Sequence, residues 1–239
     1  MLRRERHERP VSVVAWAELL ARTRQARVIS PTHPGFSGTP RPEALGSIGG
    51  LALVYAAFIS KLGIAGVTVI GNSIGGTIAA ELALAARTHI SSLVLVDAVG
   101  IEVPDHPVAD VFSLSLDELS RLSYHDPARF RIDPSKFTPE QKAGRAANMA
   151  ALRLYGDSIT DVALRERLSA IARPTLVVWG ESDRVADPEY GRAYARAIPG
   201  ATFRILNGAG HVPQIETPEL LVETFWPFIT EHAPRRTNG

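Results

Sequence analysis

Short apolar, β-branched runs alternate along the chain with longer stretches in which apolar residues recur every three or four positions. That alternation predicts an α/β fold with a mainly parallel sheet and flanking helices. Five strands are expected: Arg27-Val28-Ile29-Ser30, Val67 to Ile70, Ser92 to Val96, Thr175 to Trp179 and Thr202 to Leu206. The second, third and fourth have the continuous apolar character of strands covered on both faces. Helices are expected at about 13 to 24, 47 to 62, 74 to 87, 188 to 197 and 218 to 231. The last opens with Thr217-Pro218-Glu219, a cap residue followed by proline at the first helical position.

More than seventy residues, about 99 to 173, separate the third and fourth strands, too many for an ordinary connection in an α/β unit. They read as an inserted helical subdomain, with 1–98 and 174–239 forming the core. Two capping-box patterns, Ser115-Leu116-Asp117-Glu118 and Thr138-Pro139-Glu140-Gln141, mark helix starts inside it. A third stretch carries Ala147, Ala150, Ala151 and Leu154 along one expected face.

The most informative segment is Gly71-Asn72-Ser73-Ile74-Gly75, set between the apolar run Val67 to Ile70 and the small-residue helix that begins at Gly76. It reads as a nucleophile elbow, in which a serine occupies a strained strand-to-helix turn. Glycines two positions before and after the serine are expected to keep side chains out of the close approach of strand and helix. With Gly and Ser each near 7% of residues, the three fixed positions recur by chance in roughly one chain in ten of this length, so the strand and helix around them carry the argument.

Composition narrows the picture. At 239 residues and 45% hydrophobic content the chain can bury a sizeable core. Its 26 basic and 25 acidic residues nearly cancel, and basic residues form no long run except near the two ends, which argues against nucleic acid as a partner. The absence of cysteine excludes disulfides, thiolate metal sites and a cysteine nucleophile, and fits the cytoplasm. The charged first ten residues carry no apolar stretch of signal-peptide length, and no segment has the length of a membrane span. The tail from Pro234 to Gly239 is expected to be disordered.

A serine hydroxyl is a poor nucleophile at neutral pH and needs a general base, itself oriented by a carboxylate. Of seven histidines, His211 lies in a loop after a C-terminal strand, in Asn207-Gly208-Ala209-Gly210-His211-Val212-Pro213. The carboxylate candidate is Asp183, directly after the fourth strand in Trp179-Gly180-Glu181-Ser182-Asp183. Asp187 and Glu181 lie close by, and Asp97, at the end of the third strand, is a rival position for the acid. All three chosen residues follow strand ends, where functional groups gather in open α/β sheets, and the order Ser, Asp, His matches the order given for this elbow type. His33 is expected to shape the loop after its strand, and His106 and His125 to contact solvent or line substrate in the insertion. There is no His-x-x-x-His spacing, calcium-loop pattern or dinucleotide fingerprint, so chemistry without metal or other cofactor, on a small-molecule substrate, is expected.

From about residue 13 to 231 the chain resembles the α/β-hydrolase superfamily. The resemblance rests on Gly71 to Gly76, on Ser30-Pro31-Thr32-His33-Pro34-Gly35-Phe36-Ser37-Gly38-Thr39, on Trp179 to Asp183, and on Gly210-His211 followed by Glu216-Thr217-Pro218-Glu219. It implies Ser73 as nucleophile, His211 as general base and acid, Asp183 as its orienting carboxylate, the backbone N–H of Ile74 as an oxyanion donor, and residues 99 to 173 as a helical cap over the pocket. Asn72 before the serine resembles hydrolases that cleave carbon–carbon bonds in ring-fission products. Three readings follow: a serine hydrolase of small, partly apolar esters or acyl compounds, a carbon–carbon hydrolase of ring-fission products, and a noncatalytic ligand-binding protein.

The family pattern also begins with strands ahead of the Trp16-bearing helix, one of them ending in a His-Gly loop that supplies a second oxyanion donor. Residues 1 to 12 do not match it; either Pro10-Val11-Ser12-Val13-Val14 is a short filler of the gap or the natural chain starts upstream of Met1, and the second is the favoured expectation. Loss of one such donor costs about a hundredfold to a thousandfold in turnover, so weak activity is expected of the chain as written.

Overall fold

The structure is a computed structural model that describes residues 11–130, 133–156 and 161–234. Four of the five expected strands form: β1 (Val67–Asn72), β2 (Ile90–Val96), β3 (Thr175–Gly180) and β4 (Thr202–Leu206). They pair in parallel in the order β1-β2-β3-β4. Parallel neighbours need a crossover between them, and the chain supplies helices for it. The elements are α1 (Val11–Arg24), α2 (Ile48–Lys61), α3 (Ile74–Ala85), α4 (Leu116–Ser123), α5 (Pro139–Tyr155), α6 (Val162–Arg167), α7 (Pro188–Ala197), α8 (Pro213–Glu216) and α9 (Pro218–His232).

The period of two along the strands divides the core in half. Leu93, Leu95, Val177 and Trp179 point to one side, where they pack with Leu51 and Tyr55 of α2, Ile78 and Leu82 of α3, and Tyr190 and Tyr194 of α7. Val94, Val96, Leu176 and Val178 point to the other, against Leu20 of α1 and Leu221, Val222 and Phe225 of α9. There Trp16 meets Phe225 edge to face at 5.8 Å between ring centroids. Helices on both faces are why β2 and β3 read as unbroken apolar runs: their central side chains are fully buried. β1, at the edge of the described sheet, is half-buried along most of its length.

Arg27 to Ser30 does not join the sheet. Only Val28 of that run packs against the core, Ile29 is 40% exposed, and β1 pairs with β2 alone among the described residues. A strand is held by its ladder, and this run has no partner among the described residues to form one. Val11 to Val14, expected as an extended filler, is the first turn of α1. The helical expectation from residue 13 stands there, because Trp16 and Leu20, four positions apart, pack in one cluster with residues of α9. The first ten residues and all of the tail except Pro234 lie outside the described residues.

Between β2 and β3 the chain runs through α4, α5 and α6. Both capping boxes close: the Ser115 hydroxyl accepts from Glu118 N at 3.3 Å while the Glu118 carboxylate accepts from Ser115 N at 2.9 Å, and Thr138 and Gln141 do the same at 3.2 and 3.0 Å. The inward face of α5 differs from the expected one. Of the four expected residues Ala151 is half-buried, while Ala147, Ala150 and Leu154 are exposed, and the other half-buried to buried residues of the helix are Arg145, Asn148, Met149, Leu152 and Tyr155. Asn148 sets that rotation by accepting the Ser37 amide at 2.8 Å, a polar tether that apolar periodicity does not register. No helix among the described residues is long and apolar enough to cross a membrane.

Candidate active site

Each strand end contributes one residue to a single cluster above the sheet: Ser73 follows β1, Asp97 follows β2, Asp183 follows β3 and His211 follows β4. The turn between β1 and α3 puts Ser73 at φ +54° and ψ −125°, a region L-residues rarely adopt, which costs about 1–3 kcal/mol and persists only under constraint. The constraint is visible: Ser73 N donates to Val96 O at 3.0 Å, and Ser73 O accepts from Gly76 N at 2.8 Å.

The glycines behave differently from expectation. A Cβ on Gly71 would lie 2.1 Å from Gly75 O, and one on Gly76 would lie 2.3 Å from the Ala98 side chain. One on Gly75 would meet nothing within 4 Å. The close approaches are therefore at Gly71 and Gly76, while Gly75 faces the open cavity.

His211 joins the serine to the acid. Its Nε2 lies 2.8 Å from Ser73 Oγ and its Nδ1 lies 2.8 Å from Asp183 Oδ2. Asp183 is 2% exposed and His211 6%. The other carboxylate oxygen, Asp183 Oδ1, accepts from Val185 N at 2.8 Å and Ala186 N at 3.1 Å, which fixes the carboxylate plane. Buried Trp179 holds that loop by donating Nε1–H to Ala186 O at 2.9 Å. The end of α4 stitches both loops together, since Ser123 O accepts from His211 N at 2.8 Å and Leu122 O accepts from Arg184 N at 3.1 Å.

Asn72 holds the histidine loop to the serine loop. Its Nδ2 donates to His211 O at 2.9 Å and Val96 O at 3.1 Å, and its Oδ1 accepts from Gln214 Nε2 at 3.0 Å. Glu216 holds the loop from the far side by accepting from Gly210 N at 2.6 Å and His125 N at 2.9 Å. Neither Gln214 nor Glu216 was singled out in the sequence as a support of the site. Gln214 is signalled by proximity to His211 in the chain alone, and Glu216 also by its place in the segment Glu216-Thr217-Pro218-Glu219 on which the resemblance rests.

Asp97 is not the partner of His211. Its Oδ1 accepts from Gly180 N at 2.7 Å and its Oδ2 has no hydrogen-bond partner among the described residues. Burial, with the Asp183 charge beside it, pushes its carboxyl well above the usual carboxylate range. Among the described residues, Asp97, Asp183 and His211 form the one group with metal-ligand atoms close together, within 4.8 Å of one another. Both nitrogens of His211 are already engaged, and so are both oxygens of Asp183, so these residues do not converge on a metal position.

Ser73 opens on a cavity of about 260 Å³. Its walls are mostly apolar, with Leu51, Ile78, Val99, Val108, Leu152 and Val185 among them, and no Lys, Arg, Asp or Glu among the described residues lines it. The Ile74 amide sits at the first helical position of α3, where backbone N–H groups have no partner within the helix and the dipole favours negative charge. His33, expected to shape its loop, also lines this cavity. His106 and His125 are held away from it, paired with Asp187 and Ser182 at 2.7 Å each.

A family model described as the Alpha/beta hydrolase family matches residues 10–224, nearly the whole chain. The chain belongs to the alpha/beta hydrolase family. This hydrolase is 28% identical over 229 residues to the 2-hydroxymuconate semialdehyde hydrolase of Pseudomonas putida, across 86% of the chain and 77% of the relative. It is 26% identical over 224 residues to a 2-hydroxy-6-oxononadienedioate/2-hydroxy-6-oxononatrienedioate hydrolase of Dechloromonas aromatica, across 85% and 76% of the two chains. Among solved structures, a thermophilic esterase of Thermogutta terrifontis superposes with a TM-score of 0.65 at 25% identity, covering 92% of this hydrolase and 85% of the esterase. A meta-cleavage product hydrolase superposes at 0.71 with 21% identity, covering 91% and 85%, and speaks for the fold alone.

Proposed function

We propose that this protein is a cofactor-independent serine hydrolase of small, partly apolar esters or acyl compounds, working in the cytoplasm. The supporting observation is the hydrogen-bonded series Ser73–His211–Asp183 opening directly onto an apolar cavity. In this reading Ser73 Oγ attacks the substrate carbonyl and passes its proton to His211 Nε2, while Asp183 holds the ring and stabilises the imidazolium. Negative charge on the former carbonyl oxygen is met by the Ile74 N–H at the start of α3. Collapse expels the alcohol, which takes the proton from His211 and leaves an acyl group on Ser73. Water, deprotonated by His211, attacks that acyl group, and departure of the acid restores the serine.

The segment between β2 and β3 acts in this reading as the cap, since α5 contributes Leu152 and Tyr155 to the cavity wall. A second reading, carbon–carbon hydrolysis, is favoured by the printed names of the relatives, several of which are hydrolases of semialdehyde or dienedioate compounds. Turnover of p-nitrophenyl butyrate and of a ring-fission dienone by the wild-type chain and by Ser73→Ala separates the two. Ester turnover lost in the variant supports the first reading, and dienone turnover alone the second. Turnover equal in wild type and variant rejects a role for Ser73 in either.

A further inference from the structure

His33 stands in the wall of the same cavity as Ser73, and its surroundings fix more than its position. Its Nδ1 is hydrogen-bonded to the hydroxyl of Tyr55, from the buried face of α2. Burial pushes the Tyr55 phenol up to about 12, so it carries its proton at neutral pH, and burial lowers the His33 imidazole, so that ring stays neutral. His33 is the hydroxyl's one side-chain or backbone partner among the described residues. If Nδ1 carried the ring proton, the phenol hydrogen would be left without an acceptor at a 9% exposed site, at a cost typical of an unmade buried hydrogen bond. The consistent arrangement has the Tyr55 O–H donating to Nδ1, which places the ring proton on Nε2. Nε2 has no protein partner among the described residues and is not sealed in the interior.

The other polar side chains of the wall are already occupied. Asn72 is engaged at both amide atoms, and the Tyr155 hydroxyl donates to Pro34 O at 3.0 Å. Apart from Ser73, His33 is left as the wall's uncommitted polar side chain among the described residues. A carboxylate entering this cavity would lose its hydration and find no cationic wall residue among the described residues, whereas a carbonyl oxygen would find a neutral side-chain N–H donor at His33, apart from the backbone amide of Ile74 beside Ser73.

We propose that His33 is a specificity-determining residue whose Nε2–H binds an uncharged carbonyl acceptor of the substrate, so that the cavity selects neutral keto or ester compounds over carboxylates. The proposal rests on the reading of this cavity as the substrate site. It differs from what a dienedioate-cleaving relative is named for, because a dioate carries two carboxylates and the described residues of this wall offer them no positive charge.

The test uses Ser73→Ala protein, so that binding is measured without turnover and stands apart from any failure of hydrolysis. Acetophenone and its alkene isostere α-methylstyrene are titrated by ligand-observed NMR, with benzoate as the anionic counterpart. The readout is the ratio of the two neutral affinities, and adding His33→Phe with Tyr55→Phe is expected to shift that ratio against the ketone by about fivefold, one hydrogen bond's worth. In the wild-type chain, which requires no substitution to fold, ¹⁵N shifts of the His33 ring are expected to show a proton on Nε2 and to move when acetophenone is added. An unchanged ratio, no measurable ketone binding, benzoate binding more tightly than acetophenone, or a proton on Nδ1 would each overturn the proposal.

Discussion

The two sides of the cavity are built on opposite terms. On the serine side, loops from β1, β3 and β4 converge, and nearly every polar atom is committed: Asn72 at both ends of its amide, Asp183 at both oxygens, His211 at both nitrogens. Elsewhere in the wall, α2, α5 and the segment after β2 present Leu51, Leu152 and Val108, with the Tyr155 hydroxyl spent on Pro34 O and His33 as the uncommitted polar exception among the described residues. Hydrogen bonds are short-ranged and directional, so the first side holds atoms in place. Apolar contact is nondirectional, so the second excludes water and accommodates shape. Substitutions on the serine side should therefore act on kcat, and those on the apolar side on KM.

The largest effect is expected from Asp183→Asn, which keeps the side-chain shape but no longer fixes the ring tautomer or stabilises the imidazolium. Ester turnover should fall by about a thousandfold to ten-thousandfold in kcat, measured under saturating p-nitrophenyl butyrate, with KM changed little. Next is Gly76→Ala, whose methyl would lie 2.3 Å from the Ala98 side chain in a close strand-to-helix approach. Thermal unfolding should show a loss of about 1–3 kcal/mol, and a melting temperature equal to that of Gly75→Ala would break the distinction between the two glycines. Asn72→Ala removes the tie between the serine and histidine loops, and kcat should drop by about tenfold because only a supporting interaction is lost. Leu152→Ala, across the cavity, should raise KM by about tenfold or less and leave kcat nearly unchanged, as expected for lost apolar contact.

Asp97 gives the same comparison a pH dependence. Its carboxyl is raised above its unfolded value by burial and by Asp183, so the folded state binds the proton more tightly than the unfolded state does. The associated stability is fully present below the unfolded carboxylate value, near pH 4, and is lost as pH rises through the folded value. Asp97→Asn keeps an oxygen to accept the Gly180 amide and removes the titration. The variant's melting temperature should therefore gain on wild type from pH 4 to pH 8, and a constant difference across that range would contradict the assignment. Asp183, His211 and Glu216 lie beside it and are present in both proteins, so the comparison isolates Asp97.

Much of the candidate site was legible in the sequence because strand ends are punctuated: each of Ser73, Asp183 and His211 sits just beyond an apolar run, with glycine close by. The core of the sheet was legible for a related reason, since β2 and β3 are buried on both faces and can tolerate little else. What escaped depends on partners distant in the chain. Arg27 to Ser30 reads as a strand locally, but pairing is decided by a neighbour. The inward face of α5 was met only at Ala151, because Asn148 reaches Ser37, 111 positions away. Gly76 rather than Gly75 is pressed because Ala98 lies opposite it. His33 carried no catalytic motif, and only Tyr55, on another element, gives its ring a defined proton.

The central claim is that the Ser73–His211–Asp183 series makes Ser73 an activated nucleophile. Incubation of the folded chain with a fluorophosphonate, followed by peptide mass spectrometry, tests it without assuming any substrate. A single phosphonylated peptide containing Ser73, absent from Ser73→Ala and strongly slowed in Asp183→Asn, is the predicted result; an unlabelled wild-type chain, or labelling that survives in Ser73→Ala, would contradict it.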